Sequence, residues 1–260
     1  MDNQDPSQNN PYAPPVANLE DERQRTDGAL NLQGNKVPAG HALEWIGSAW
    51  EGYMRAFGAW LGISSLYLLL GLVVACIPIG NQVLLCLLAG GFLIGCQRFH
   101  DTGSIEVGDL FAGFQAAGSG LALTGLIQAG IYYVFFLPGF ILQMVATFTH
   151  ADQKLVWAAT GLYYVLAFLG GVALKFTLFA PALVVFHNVE PLKAIRASFA
   201  VCFKNFGAFL VFVILSYLLM IGGFMCCMIG LIFVMPLYVP AYYSAYRDIF
   251  LHSDTGAQTV

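Results

Sequence analysis

EPLKAIRASFAVCFKNFGAFL, residues 190–210, is a short amphipathic helix that runs without a break into an apolar stretch long enough to span a membrane. Leu192, Ile195, Phe199, Cys202, Phe203 and Phe206 recur at steps of three and four, which lines them along one helix face. Lys193, Arg196 and Lys204 lie off that stripe. Pro191 suits the first turn, where a missing N–H costs nothing. An apolar stripe with basic residues opposite it describes a helix lying in the headgroup layer. Residues 41–61, HALEWIGSAWEGYMRAFGAWL, repeat the design. Their apolar side is Leu43, Ile46, Trp50, Tyr53, Met54 and Phe57, and their polar side is Glu44, Ser48, Glu51 and Arg55.

Composition agrees. Apolar residues make up 58% of the 260 and charged residues 10%, against about a quarter charged in a soluble domain. This is the profile of a multi-pass membrane protein. With 11 basic against 15 acidic residues there is no basic excess to recruit nucleic acid. Polar residues concentrate in residues 1–40, which bear Pro14-Pro15 and the acidic run Glu20-Asp21-Glu22. That stretch cannot bury enough apolar surface to offset its ordering entropy, so it reads as a disordered tail. It lacks the basic and apolar regions of a secretory signal. Through it the chain has a possible docking element for a protein partner.

Six spans follow, at about 58–77, 82–96, 121–147, 155–179, 206–226 and 229–246, with a short polar tail from 251 to 260. Pro138-Gly139 predicts a kink in the third. Val107, Leu110, Phe111 and Phe114 form a third, weaker surface stripe ahead of it. Six spans put both termini on one side of the membrane. Arg23, Arg25, Lys36, Arg55, Arg98, Lys193, Arg196, Lys204 and Arg247 fall on that side and Lys154 on the other. Lys and Arg accumulate in cytoplasmic loops, so both termini are assigned to the cytoplasm. Lys175 falls inside the fourth span. Helical rise carries it roughly 30 Å from the outer start of that span. Snorkelling to the inner headgroups is the reading taken for it, over an intramembrane functional lysine.

A shift of 149 positions lays Phe57-Gly58-Ala59 on Phe206-Gly207-Ala208, Leu61 on Leu210 and Arg98 on Arg247. An even number of spans separates the copies, so this is a parallel internal repeat. The expected fold is all-α. Six transmembrane helices form three hairpins, each preceded by an amphipathic surface helix, in units of about 41–100, 104–186 and 190–250. Gly58 and Gly207 are expected at the bends from surface helix to span. Gly91 and Gly95 form a small-xxx-small pair suited to close helix packing. Tyr238, Tyr242 and Tyr246 share one helix face, and with Arg247 are expected to make an interfacial aromatic anchor.

Catalytic chemistry finds little footing. Cys76, Cys86, Cys96, Cys202, Cys226 and Cys227 make no Cys-x-x-Cys pair, and the five histidines lack ligand spacing. No metal site, cofactor site or catalytic residue is assigned. Buried thiols are preferred to an outer disulfide from Cys76 to Cys226 or Cys227. The spans carry no Asp or Glu, which weakens a proton-coupled transporter.

Several motifs stand together: Lys36-Val37-Pro38-Ala39-Gly40-His41, the 45–61 helix, Asp109-Leu110-Phe111-Ala112-Gly113-Phe114, Phe179-Ala180-Pro181-Ala182-Leu183-Val184 and Ala245-Tyr246-Arg247-Asp248-Ile249-Phe250. Over about residues 36–250 they resemble a family of uncharacterised bacterial multi-pass inner-membrane proteins. That family is similar in layout to the membrane domain of some glycerophosphodiester phosphodiesterases. The hydrolytic domain of those enzymes has no counterpart in this sequence, so the resemblance implies no catalytic residue. The functional expectation is a non-enzymatic protein that binds or organises membrane phospholipids or a partner protein, with Lys193, Arg196, Lys204 and Lys175 as candidate anionic-lipid contacts. The alternative is a small transporter or channel with a path between the hairpins.

Overall fold

In the computed structural model, residues 30–225 and 229–251 are described. The described chain is all-helical. α1 is His41–Arg55, α2 Phe57–Val74, α3 Pro78–Thr102, α4 Ala112–Phe148 and α5 Gln153–Lys175. α6 is Ala180–His187, α7 Pro191–Lys204, α8 Phe206–Met225 and α9 Ile229–Phe250. A 3-10 turn, Val107–Phe111, leads into α4. Five helical stretches are long and apolar enough to cross a membrane: Phe57–Val74, Pro78–Thr102, Val107–Phe148, Gln153–His187 and Phe206–Met225. α9, expected as the sixth span, is not among them. Its apolar run is interrupted by Pro236, Pro240 and its tyrosines and ends at Arg247-Asp248.

The short helices pass into the long ones through one repeated backbone break. Ala56 has φ −132°, ψ 43°, Ala117 φ −151°, ψ 36°, and Asn205 φ −110°, ψ 35°. These negative φ angles are open to any L-residue. The expectation that Gly58 and Gly207 make the bends is therefore corrected: the breaks fall two residues earlier, at Ala56 and Asn205. A Cβ at Gly58 would touch nothing within 4 Å, and one at Gly207 would meet Ala39 at an ordinary 3.7 Å. Helix α4 has no other non-helical dihedrals and continues through Pro138.

Gly91 and Gly95 face a close neighbour, the 3-10 turn and the chain leading to it. A Cβ on Gly91 would run into the Leu110 carbonyl, and one on Gly95 would lie 3.0 Å from Ile105. Gly113 answers from α4, since its Cβ would stand 2.6 Å from the Gly91 nitrogen. Paired glycines thus let α3 and the start of α4 touch backbone to backbone, and α3–α4 is the most extensive helix pair. Arg98 closes this corner by donating to Asp109 at 2.8 Å, where the carboxylate is buried.

Helix α9 runs through the middle, against α1, α2, α3 and α8. Around it Trp60, Leu88, Phe92, Phe179, Leu183, Phe212, Tyr246 and Phe250 form a continuous core. Helix α5 packs chiefly along α4. Large apolar residues stay exposed on the long helices, among them Leu72, Val134, Phe148, Trp157, Leu218 and Phe224. Such a surface is out of place in water and at home in lipid.

Composition placed residues 30–40 within a disordered tail. The structure fastens them to the helices. Leu30 bridges Leu251, the Asn31 and Asn35 amides donate to the Phe250 and Ile249 carbonyls, and Asn205 binds both Asn35 and Val37. Gly34 holds φ at +63°, with Val201 packed where a side chain would project. Hydrogen bonds hold this strap, and a count of apolar residues cannot see them. Residues 1–29, 226–228 and 252–260 lie outside the described residues, and with them Pro14-Pro15, the acidic run, Cys226 and Cys227.

Candidate functional site

Two arrangements carry chemistry. The first is the outer side of α7 and α1. In α7, Ala194, Ile195, Ser198, Val201 and Cys202 are buried. Ser198 turns inward to accept from the Phe179 amide and donate to the Phe176 carbonyl. Burial pushes the Cys202 thiol up to about 12, which keeps it protonated and unreactive. Phe199 and Phe203 stack on Phe176 with centroids 5.7 and 4.8 Å away. Of the residues assigned to the lipid stripe from spacing, Ile195 is buried in the protein and Phe199 is half-buried against Phe176. Leu192, Phe203 and Phe206 remain exposed beside the basic residues.

The basic residues differ. Lys193 lies 3.0 Å from Glu190, with both side chains exposed. Arg196 is exposed. Lys204 donates to the Gly34 and Gln33 carbonyls at 2.7 and 3.3 Å. In α1 the same division holds. Ala42, Trp45, Ala49 and Tyr53 are buried, while Leu43, Trp50 and Met54, followed by Phe57 at the start of α2, are exposed. Helix α1 is pinned to α9 through Asp248, which accepts from His41 at 2.8 Å and from Trp45 Nε1 at 2.9 Å. The hydrogen bond to Asp248 holds the His41 pKa above its ordinary value.

The second arrangement lies within the bundle. Lys175, expected to snorkel, extends its ammonium to Tyr238 Oη at 3.2 Å, with the Tyr238 and Tyr217 rings at 5.1 and 5.6 Å. Between α3, α4 and the α5–α6 turn runs a polar file. Gln82 donates to Gln128 at 3.5 Å, and Gln128 donates to the Thr177 hydroxyl at 2.9 Å. Beside it is a recess of about 200 Å³ lined by Asn81, Gln82, Tyr132, Tyr133 and Leu174, among others. The Asn81 carbonyl oxygen is buried there with no hydrogen-bond partner among the described residues.

Tyr238, Tyr242 and Tyr246 do share a face of α9, but it is turned inward. Tyr242 packs on Phe179, and Tyr246 is hydrogen-bonded to His187 at 2.6 Å between Phe186 and Phe250. The expected interfacial anchor is not what these rings form. Neighbouring helices surround α9, so its tyrosines find partners inside. Arg247 stacks over Tyr243 and lies 3.4 Å from His100.

Sequence reasoning named Lys175 but missed Tyr217, Asn81 and the His41–Asp248 pair. Their partners come from distant helices, and no local spacing announces them. Asn205 offered a signal, a lone amide at the junction of a surface helix and a span. The chain matches no protein-family model, no curated protein and no solved structure. The geometry alone therefore carries the functional argument.

Proposed function

We propose that the chain is a non-enzymatic multi-pass protein of a bacterial inner membrane that binds and organises anionic phospholipid at its cytoplasmic face. In this reading α9 is a sixth span and both termini are cytoplasmic. Three units of surface helix plus hairpin repeat in parallel. The matched breaks at Ala56, Ala117 and Asn205 support that repeat. The N-terminal tail is then free to engage a protein partner.

One observation carries the lipid reading. Helices α1 and α7 each bury one side in the protein, yet keep a second apolar edge exposed. On α7 that edge, Leu192 and Phe203, continued by Phe206 at the start of α8, shares the helix with Lys193 and Arg196. Water would leave the edge unsatisfied. A headgroup layer takes the apolar edge into the acyl boundary and the cations among phosphates. Each basic residue near an anionic surface contributes about 1 kcal/mol, and the Glu190 partner reduces the share of Lys193. Replacing Lys193 and Arg196 with Gln leaves insertion intact and lowers retention of phosphatidylglycerol over phosphatidylcholine. Native mass spectrometry across a salt series measures this, and the lost part is the part that salt screens. Equal retention in the double variant would defeat the proposal.

A transport reading draws on the Gln82–Gln128–Thr177 file and the recess beside it. It predicts that Gln128→Leu abolishes solute flux in vesicles while the protein still folds. The lipid reading predicts no flux to lose.

A further inference from the structure

We propose that Lys175, with Tyr238 and Tyr217, forms an intramembrane site for the oxyanion head of an amphiphile, a carboxylate or phosphate carried on an acyl chain. The inference deepens the lipid reading at a second place and rests on it.

Along α8 the rise from Phe206 to Tyr217 is about 16 Å, roughly half of a hydrocarbon core about 30 Å thick. Lys175 reaches Tyr217 and so sits at that depth. A cation there is costly and pairs with another group or marks a site. The spans contain no Asp or Glu, and no ion pair among the described residues includes Lys175. An ammonium has three N–H donors. The single hydrogen bond of Lys175 among the described residues goes to Tyr238 Oη. The two tyrosine rings supply partial negative faces, and a full counter-charge is missing. A bound oxyanion would supply it and take the remaining donors. Tyr238 would help hold the cation in place.

Packing gives the route. Helix α5 packs extensively along α4, and toward α8 and α9 it reaches out through Lys175 at its end. Phe168 and Leu169 on α5, and Leu218 and Ile221 on α8, are exposed. A small hydrated anion coming from the lipid would have to shed its water against such apolar side chains. An anion on an acyl chain enters sideways, with its chain on the apolar side chains. That favours the amphiphile over a free anion.

The test is native mass spectrometry on the full chain with oleate, phosphatidylglycerol, acetate and inorganic phosphate as probes. At about 1 M salt exposed charges are screened while buried ones are much less so. Wild type is expected to keep one oleate or phosphatidylglycerol under these conditions. Losing a buried charge-assisted contact weakens binding by about tenfold or more, so Lys175→Met should lose that molecule. Lys175→Arg should retain it, and Tyr238→Phe should weaken it severalfold. The Lys193→Gln, Arg196→Gln variant should keep it, since that change touches only the salt-sensitive population. If Lys175→Met does not fold, the arginine and Tyr238→Phe variants decide. Undiminished high-salt retention in Lys175→Met, or in Tyr238→Phe where that variant decides, overturns the site but leaves the surface-lipid reading standing. Acetate or phosphate binding as well as oleate overturns the amphiphile. Loss of phosphatidylglycerol selectivity in wild type at low salt would instead defeat the surface reading.

Discussion

Asp248 accepts from His41 and Trp45 together, so one carboxylate on α9 fixes the start of α1. The hydrogen bond to Asp248 raises the His41 pKa above 6.5. The charged imidazole is thus favoured in the folded state. Its stabilisation is present in full below about pH 6.5 and is lost as pH rises through the elevated value. Hydrogen exchange of the 41–45 amides, corrected for intrinsic rate, should therefore quicken above that range, and His41→Gln should flatten the response. A pH-independent wild type would contradict the linkage. Glycines give a second residue-scale contrast. Gly91→Ala forces a methyl into the Leu110 backbone, an overpacking that costs about 1–3 kcal/mol. Gly58→Ala meets open space in a helix and should be neutral or slightly stabilising. Melting of the two variants in detergent separates these cases. The sequence pointed to all of Gly58, Gly91, Gly95 and Gly207 with equal force. Residue type records that a glycine is present, whereas the reason for it depends on what lies across the contact.

At the scale of elements, the helices and their order were legible, because long apolar stretches and amphipathic stripes are local patterns. Which side of each surface helix faces protein was not. Spacing puts Leu192, Ile195, Phe199 and Phe203 on one stripe, yet Ile195 is buried and Phe199 half-buried while Leu192 and Phe203 stay exposed. A stripe marks apolarity and cannot tell lipid from protein, since both reward it. The strap at 30–40 was missed for a different reason. Asn205, at the break between α7 and α8, gives its amide to Asn35 and takes the Val37 N–H. Asn205→Ala removes both bonds while leaving the break's negative φ permissible. Hydrogen exchange over residues 31–39 should then rise by about tenfold, with exchange in α8 unchanged. Protection of the strap equal to wild type would show that the backbone bonds to Phe250 and Ile249 suffice.

For the molecule as a whole, the five apolar stretches and the exposed apolar side chains on them fit a protein immersed in lipid. The sixth span comes from the apolar pattern of the sequence and the direction of threading from its charge distribution, and the candidate sites depend on both. Only with both termini in the cytoplasm do Lys193 and Arg196 meet the anionic inner leaflet. Only with α9 as a span does Tyr238 hold Lys175 within the membrane. The whole-molecule claim therefore rests on topology. The direct measurement is a pair of fusions, one at the N-terminus and one after Val260, to reporters active on opposite sides of the inner membrane. The account predicts a cytoplasmic signal from both ends. A periplasmic signal from either would contradict the six-span threading and remove the lipid face from the leaflet on which the proposed function depends.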